Sequence, residues 1–251
     1  DIGALNQTWD TEIESFTALE ALSKAPAGDK DALLIDKRAF LKVVAKRYFS
    51  VTGQAIEAVD PNHLNLGCRF VSALSALEVI EAAGEYLDVM SVNNYVFVDG
   101  VTDITEELFG PLLESTDFLQ NFADVSSLPI LVSEYGFRAA DSGLPNSFPP
   151  IYPVYDTQTE RADAFDVYAR EGFAKPYLVG LHWFRFVDQP ASGRFDGEDS
   201  NFGLVNIADE PYEIVTERMR TVFDALYVEA VKVKGKGKGT AIPREKSENK
   251  T

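Results

Sequence analysis

The stretch SLPILVSEYGF, Ser127–Phe137, decides the fold class. Its Ile130–Val132 run is apolar at every position, which is typical of a strand buried on both faces of a parallel sheet. Glu134 follows this run, and a carboxylate at the end of a buried strand is costly to desolvate unless it is paired or functional. In barrels of alternating strands and helices, active sites lie at that end of the strands. A functional Glu134 and a structural, salt-bridged one are equally compatible with this stretch.

Similar apolar runs alternate with helical periodicity along the chain. We predict four strands, at residues 64–70, 88–94, 129–135 and 177–186. Helices are predicted after them, at residues 72–86, 105–125, 158–173 and 210–228, and an earlier helix is predicted to start at Asp36. This alternation predicts an α/β fold with a parallel sheet and crossover helices. No glycine-rich turn follows the first strand, as a dinucleotide-binding sheet would need. A (β/α)8 barrel therefore fits better, and four units are half of one.

The composition limits the classes of partner. With 251 residues, of which 45% are hydrophobic, one domain is expected over residues 1–228, followed by a disordered, Gly/Lys-rich tail over 229–251. The net charge is −17, and because residues 232–251 contribute +5, the rest carries −22. Such an acidic surface repels phosphate backbones, which argues against nucleic acid as a partner, whereas a neutral sugar is not repelled. No apolar run reaches the length of a membrane span, and no membrane partner is expected.

Polar and aromatic residues gather at the carboxyl ends of the predicted strands, which suits a barrel active site. The candidate catalytic and substrate-binding residues among them are Arg69, Asn93, Tyr95, Glu134, His182 and Trp183. A carboxylate nucleophile needs hydrogen-bond donors that keep it ionised and aimed, and Tyr, Arg and His provide them. The indole of Trp183 offers an apolar face for a pyranose ring, although an isolated Trp is more often part of the core.

The long irregular segment at residues 187–208 is rich in glycine and acids. We predict that it borders a sugar cleft, with Asp188 and Glu198 in contact with substrate, or with Glu198 holding a sugar-binding Arg. Its acids could also bind calcium or belong to an ordinary solvated loop. The two histidines, His63 and His182, are far apart and have no acid at ligand spacing, so neither a catalytic zinc nor another cofactor is expected. The nucleophile elbow of serine hydrolases is absent from the sequence.

Three strings carry a family resemblance: DPNHLNLGCRF at residues 60–70, SEYGFRAADSGLPNS at 133–147 and GLHWFRFVDQPASGRFDGEDSNFGLVNIADEPY at 180–212. Through them the chain resembles the carboxyl-terminal half of glycoside hydrolase family 50, the agarase family within a large clan of retaining (β/α)8 glycosidases. The resemblance extends from about Leu5 to Met219. It implies that the four strands are the fifth to eighth of the barrel and that the substrate is a β-linked, galactose-containing polysaccharide.

The same resemblance implies that Glu134 is the nucleophile, that Tyr95 touches it, and that Trp183 is the aromatic residue at the end of the eighth strand. The clan's general acid/base is a Glu in an Asn-Glu pair after the fourth strand, and no such pair occurs before Asp60. The chain is therefore expected to be a fragment that lacks the acid/base and is inactive alone. The sequence Glu134-Tyr-Gly-Phe stands where the family often has Glu-Phe-His-Phe, so other galactosidases of the clan are an alternative.

Two other classes stay open from the residues alone: a non-catalytic carbohydrate-binding or structural half-barrel, and an unrelated α/β domain with a structural Glu at its rim. Four βα units would leave two open sheet edges, so we expect the chain to need the N-terminal half of the barrel or self-association. It starts at Asp1 without Met or signal peptide, as expected of a piece of a longer protein. The resemblance implies that the full-length protein is secreted or periplasmic.

Overall fold

A computed structural model describes residues 1–95 and 118–234. The chain divides into two compact units. Unit 1 comprises Asp1–Asn94 and Asp99–Glu134, and unit 2 comprises Tyr95–Val98 and Tyr135–Thr251. Residues 105–117 of a predicted helix and residues 235–251 of the predicted tail lie outside the described residues. The last described helix ends at Lys234 and so includes the first residues of the predicted tail, 229–234. The disorder of the remaining tail stays a prediction.

Helices make up most of unit 1. Their bounds are Ile2–Trp9 (α1), Phe16–Glu20 (α2), Lys30–Val59 (α3), Leu77–Gly84 (α4) and Phe118–Ser126 (α5). Helix α3 begins well before Asp36, because the carboxylate of Asp29 accepts hydrogen bonds from the amides of Asp31 at 2.9 Å and Ala32 at 3.1 Å. Such a cap satisfies donors that the first helical turn leaves free. Asp36 itself accepts a hydrogen bond of 2.7 Å from the Trp9 indole.

Unit 1 also contains a parallel sheet in the order β1-β2-β3, with bounds Phe70–Val71 (β1), Met90–Asn93 (β2) and Ile130–Tyr135 (β3), the last residue of β3 being in unit 2. The fully buried side chains of β2 and β3 in this unit are Met90, Val92, Ile130 and Val132. The strand predicted from the apolar run is therefore present and is buried at Ile130 and Val132, whereas Leu131 between them is only partly buried. The α/β class with a parallel sheet is confirmed.

The first strand is much shorter than predicted, because the preceding residues form turns. Gly67 has a φ of +63°, and a side chain there would lie 2.7 Å from Leu87. The amide of Gly67 donates to the side chain of Asn65 at 3.0 Å, and the amide of Asn65 donates to Asp88 at 2.9 Å. Only glycine adopts this conformation readily. The prediction of a strand over 64–70 is therefore wrong except at its last residue.

Helix α3 packs against α4 along one side and exposes apolar residues elsewhere. Three ion pairs of 2.5 Å join α3 to α4 and to the residue that caps its end: Arg38–Glu78, Lys42–Glu81 and Lys46–Glu85. The buried residues of α3 are Leu33, Ala45 and Phe49. Other large apolar side chains of the helix are exposed, and we define the outer face of α3 as Phe40, Val43, Val44, Tyr48 and Val51.

Unit 2 combines helices with a second, small sheet. Its elements are Arg138–Ala139 (β4), Val154–Tyr155 (β5), Gln158–Phe173 (α6), Leu178–Trp183 (β6) and Glu213–Lys234 (α7), and β4 pairs with β5 in parallel. Helix α6 has the predicted bounds, because Thr157 and Glu160 form a capping box at its start. The backbone oxygen of Tyr135 accepts a hydrogen bond of 2.7 Å from Phe184, just after β6. Across the described residues, no helix combines the length and apolar composition of a membrane span.

Candidate functional site

Glu134 lies on β3 and is bound by Arg69. The Nη2 of Arg69 donates a hydrogen bond of 2.6 Å to Oε2 of Glu134. The Glu134 side chain is 16% exposed and that of Arg69 is 55% exposed, so solvent reaches the pair. A charged hydrogen bond of this kind stabilises and orients a carboxylate. The structure thus brings these two predicted site residues together, although Arg69 precedes β1 rather than ending it.

Polar groups from β2 lie beside Glu134. Asn93 is paired with Glu134 across the sheet, and the register shifts between Val92 and Asn93, as in a β-bulge. The amide of Asn94 donates to the backbone oxygen of Glu134 at 2.9 Å, and the hydroxyl of Ser133 donates to Asn93 at 3.4 Å. Bulges re-aim side chains near the ends of strands. This one gives β2 a polar end next to Glu134, as the sequence predicts.

Tyr95 belongs to unit 2 and is held there by aromatic contacts. Its ring stacks on that of Tyr152 with a centroid separation of 4.4 Å and an angle of 17°. Phe202 meets the Tyr95 ring edge-on at 6.0 Å. Stacked and edge-on contacts together fix the orientation of a ring. The contact of Tyr95 with Glu134 that the resemblance implies stays a prediction.

Trp183 and His182 occupy different surroundings on β6. The half-buried indole of Trp183 donates from Nε1 to the backbone oxygen of Phe202 at 2.8 Å. Its ring packs edge-on against Tyr135 and Phe165, with centroids 5.4 and 6.2 Å away. These contacts favour the core alternative for much of the indole. His182 is exposed, as the alternation of side chains along a strand allows. Substrate contacts of both residues stay predictions.

Asp188 is a buried carboxylate in a polar network of unit 2. Only 4% of the residue is exposed. Its oxygens accept hydrogen bonds from the amide of Gly203 at 2.7 Å, the side chain of Asn201 at 2.9 Å and the hydroxyl of Tyr212 at 2.6 Å. Burial, together with this bond to Asp188, raises the pKa of Tyr212, which keeps the phenol protonated as a donor. Because buried polar groups need such partners, these contacts favour a structural role for Asp188 over the predicted sugar contact.

Arg161 is a completely buried member of the same network. It donates to the backbone oxygens of Phe137 and Gly203, both at 2.8 Å, and to the side chain of Gln158 at 2.9 Å. Burial lowers the pKa of Arg161 to about 10, and the negative charge of Asp188 opposes that shift. The guanidinium therefore keeps its charge at neutral pH and holds three segments of unit 2 together.

Arg161 is not among the predicted site residues, although its position carries a signal. The buried side chains of α6 are Gln158, Arg161, Ala162, Phe165 and Ala169. Arg161 therefore occupies the stripe that an amphipathic helix turns toward its core. An arginine is almost never fully buried unless it is paired. The pattern thus predicts a buried, hydrogen-bonded guanidinium, but it does not identify the partners.

The loop acid Asp199 is also bound by protein groups. Its carboxylate accepts hydrogen bonds from the amides of Ser147 at 2.8 Å and Phe148 at 3.1 Å, and a further one from the Ser147 hydroxyl. Burial opposes the charged form, but these bonds outweigh it and lower the pKa of Asp199. Within residues 1–95 and 118–234, no three His, Cys, Asp or Glu side chains are grouped so that they could hold a metal ion. The hydrogen bonds of Asp199 favour a structural role.

We expect Asp199→Asn to lower the free energy of unfolding at neutral pH by about 1–3 kcal/mol, because the variant loses charged hydrogen bonds. A carboxyl whose pKa is lowered in the folded chain stabilises it above the unfolded pKa, and this stabilisation is lost as pH falls through the folded pKa. The difference between wild type and variant should therefore shrink as pH falls below 3.8, the ordinary pKa. Urea unfolding of both proteins across this range measures it, and a difference that does not change with pH would contradict the expectation.

Glu198 meets an arginine within the 187–208 segment. Its carboxylate lies 3.6 Å from the guanidinium of Arg194 and accepts a hydrogen bond from Gln189. The Glu198 side chain is partly exposed, unlike that of Asp188. This geometry is consistent with the prediction that Glu198 holds an arginine. The contact of either side chain with a sugar stays a prediction.

Known agarases are similar to this chain over most of its length. No family model matches it. Beta-agarase A of Vibrio sp. (strain JT0107) is 31% identical over 228 residues, and beta-agarase B of the same organism is 29% identical over 225 residues. The aligned regions cover 90% and 89% of this chain but 21% and 22% of the two relatives. The chain therefore spans about a fifth of the length of these curated relatives.

Solved structures agree with the sequence comparison. The crystal structure of an agarase, AgWH50C, is 32% identical with a TM-score of 0.74, and the match covers 91% of this chain and 30% of that one. The structure of an exo-beta-agarase is 30% identical with a TM-score of 0.73, covering 91% of this chain and 29% of that one. These relatives indicate a glycosidase by family resemblance, and the resemblance of this chain to the agarases of glycoside hydrolase family 50 is confirmed over about nine tenths of its length.

Proposed function

We propose that this chain supplies the catalytic nucleophile of a retaining glycosidase that acts on agarose-like, β-linked galactose polysaccharide. Glu134 carries the proposal, because it lies next to the end of a buried parallel strand and Arg69 holds its carboxylate at 2.6 Å. The β-agarase names of the Vibrio relatives support the substrate class. By the family resemblance, Asn93, Tyr95 and Trp183 would contribute to substrate binding.

In the proposed reaction Glu134 attacks the anomeric carbon and forms a covalent glycosyl-enzyme, while a second carboxylic acid protonates the leaving oxygen. That second group then activates the water that hydrolyses the intermediate. In retaining enzymes the two carboxyl groups lie about 5–5.5 Å apart. We assign the second group to residues outside this chain, because no Asn-Glu pair precedes Asp60. Arg69 positions the nucleophile.

The fold that accompanies this function is the last four βα units of a (β/α)8 barrel, with β1, β2, β3 and β6 as its fifth to eighth strands. The outer face of α3 supports it, because a helix of a folded domain normally buries its apolar side. Phe40, for example, is 68% exposed. We propose that the other βα units of the barrel cover this face, or that copies of the isolated chain associate through it. Secretion or a periplasmic location of the full-length protein stays a prediction of the resemblance.

A purely structural Glu134 explains the geometry less well. Exposed ion pairs typically contribute about 0–1 kcal/mol to stability, because water screens them and ordering the side chains costs entropy. The Arg69 side chain is half-exposed, so the pair has little stabilising effect. Because the charge of Glu134 adds little to the stability of the fold and lies at the end of a buried strand, a chemical role explains it better.

The isolated chain is expected to release no reducing sugar from agarose above background, because general acid–base catalysis contributes roughly 100- to 10,000-fold and the acid is lacking. A chimera in which this chain replaces the matching segment of the Vibrio beta-agarase A should release it, because the rest of that protein supplies the acid. The control is beta-agarase A with the segment deleted. A chimera that folds, as judged by circular dichroism, but releases no sugar would overturn the function. If the isolated chain releases sugar and loses this activity in the Glu134→Gln variant, the inference that the acid is missing from the chain is wrong.

A further inference from the structure

Phe195 is more exposed than any other large apolar side chain in the described part of the chain. It is 98% exposed and lies within the irregular segment at residues 187–208. A phenylalanine that stays in water contributes nothing to the hydrophobic stabilisation of the fold. Single exposed apolar residues are common, so exposure alone does not indicate a function. The local backbone and the neighbouring charged side chains provide the further evidence for a function of Phe195.

The backbone around Phe195 forms a tight turn held by its own hydrogen bonds. The amide of Arg194 donates to the backbone oxygen of Glu198 at 2.8 Å, and the amide of Gly197 donates to that of Arg194 at 2.9 Å. Gly193 and Gly197 have φ angles of +80° and +89°, which residues with a side chain rarely adopt. The turn therefore fixes the position at which Phe195 stands out from the surface.

Charged side chains surround the ring of Phe195. The guanidinium of Arg194 has its carbon 5.6 Å from the ring centre and donates to both oxygens of Asp196, from Nε at 3.1 Å. Glu198 lies 3.6 Å from the same guanidinium. An ordered network of this kind places hydrogen-bond donors and acceptors next to an exposed aromatic face. The turn thus combines an apolar platform with polar groups that match hydroxyls.

We propose that Phe195 is a stacking platform for a neutral pyranose unit of the polysaccharide, an inference that rests on the glycosidase function proposed above. The C–H face of the sugar lies on the ring, and its hydroxyls bond Arg194, Asp196 or Glu198. A protein partner fits less well, because every other residue of the 193–198 turn is glycine or charged, which leaves no contiguous apolar patch. The net charge of −17 repels sulfated polymers, so the polysaccharide is uncharged.

Affinity electrophoresis of the whole chain in native gels tests this proposal. Gels contain soluble agarose, a sulfated galactan or no polysaccharide. Wild type should be retarded by agarose and not by the sulfated galactan. Phe195→Ala should bind agarose roughly 3- to 10-fold more weakly, as expected for one aromatic contact, and Phe195→Tyr should bind like wild type. The matched control is Phe16→Ala, which removes another exposed phenylalanine, at the start of α2, and should leave retardation unchanged.

Three results would contradict the proposal that Phe195 is a stacking platform: no retardation of wild type by agarose, equal retardation of Phe195→Ala and wild type, or an equal loss in Phe16→Ala. Stronger retardation by the sulfated galactan would overturn the preference for an uncharged polymer. Sugar release by the beta-agarase A chimera decides the glycosidase function separately. If the chimera is active but Phe195→Ala binds agarose as tightly as wild type, the stacking role of Phe195 is wrong and the glycosidase function still stands.

Discussion

Replacing Glu134 by Gln in the beta-agarase A chimera is expected to lower kcat on agarose by roughly 10,000-fold or more, the order of loss seen when a covalent nucleophile is removed. The amide keeps the shape of the side chain and an oxygen for Arg69, but it carries no negative charge to attack the anomeric carbon. Rates from reducing-sugar assays at saturating agarose measure the effect.

The same variant separates a nucleophile from a structural carboxylate. Because the Arg69 pair is partly exposed, Glu134→Gln should change the free energy of unfolding by less than about 1 kcal/mol. The matched control is Glu217→Gln, which removes a strongly exposed carboxylate on α7 and should leave kcat unchanged. Near wild-type activity of Glu134→Gln would disprove the assignment, and a large loss of stability would support the structural alternative.

Replacing Arg161 by Met should lower the free energy of unfolding by about 3–5 kcal/mol, the effect of removing one partner from a buried charged network. The backbone oxygens of Phe137 and Gly203 and the side chain of Gln158 would lose their donor inside unit 2. The buried charge of Asp188 would also lose the nearby cation that compensates it. Urea unfolding of the chain measures the loss.

Arg220→Met is the matched control for Arg161→Met. Arg220 is also on a helix of unit 2, but its side chain is 73% exposed and its ion pair with Glu217 spans 3.9 Å. Surface substitutions of this kind usually change stability by less than about 0.5 kcal/mol. Equal effects of the two variants would show that the buried network does not carry the stability of unit 2.

The elements that the sequence predicts well are those with local causes. The Ile130–Val132 run predicts a buried strand because every residue is apolar, and this strand occurs as β3. Helix α6 has its predicted bounds because Thr157 and Glu160 cap it within one turn. The sequence also singles out Arg69 and Glu134 as site residues, and the two are paired, although Arg69 precedes β1 instead of standing at its carboxyl end as predicted.

Features that depend on partners distant in the sequence could not be predicted from the pattern of residues. The sequence presents Asp188 as a loop acid that could bind a sugar. Its hydrogen bonds from Asn201, Gly203 and Tyr212, which favour a structural role, come from residues 13 to 24 positions later. The strand predicted over 64–70 fails because Gly67 turns the chain against Leu87, a contact that no period of apolar residues reveals. Phe195 escapes prediction for a related reason, since the exposure of an aromatic side chain follows from the folded turn around it.

The most direct test of a nucleophilic Glu134 is to trap the glycosyl-enzyme on the active chimera with a 2-deoxy-2-fluoro β-galactoside that carries a good leaving group. Fluorine slows hydrolysis of the intermediate, and the good leaving group removes the need for an acid in the first step. Digestion and mass spectrometry then locate the sugar. If Glu134 is the nucleophile, we expect one label per molecule, on Glu134, and none in Glu134→Gln. A label on another carboxylate, or labelling that persists in Glu134→Gln, would contradict it.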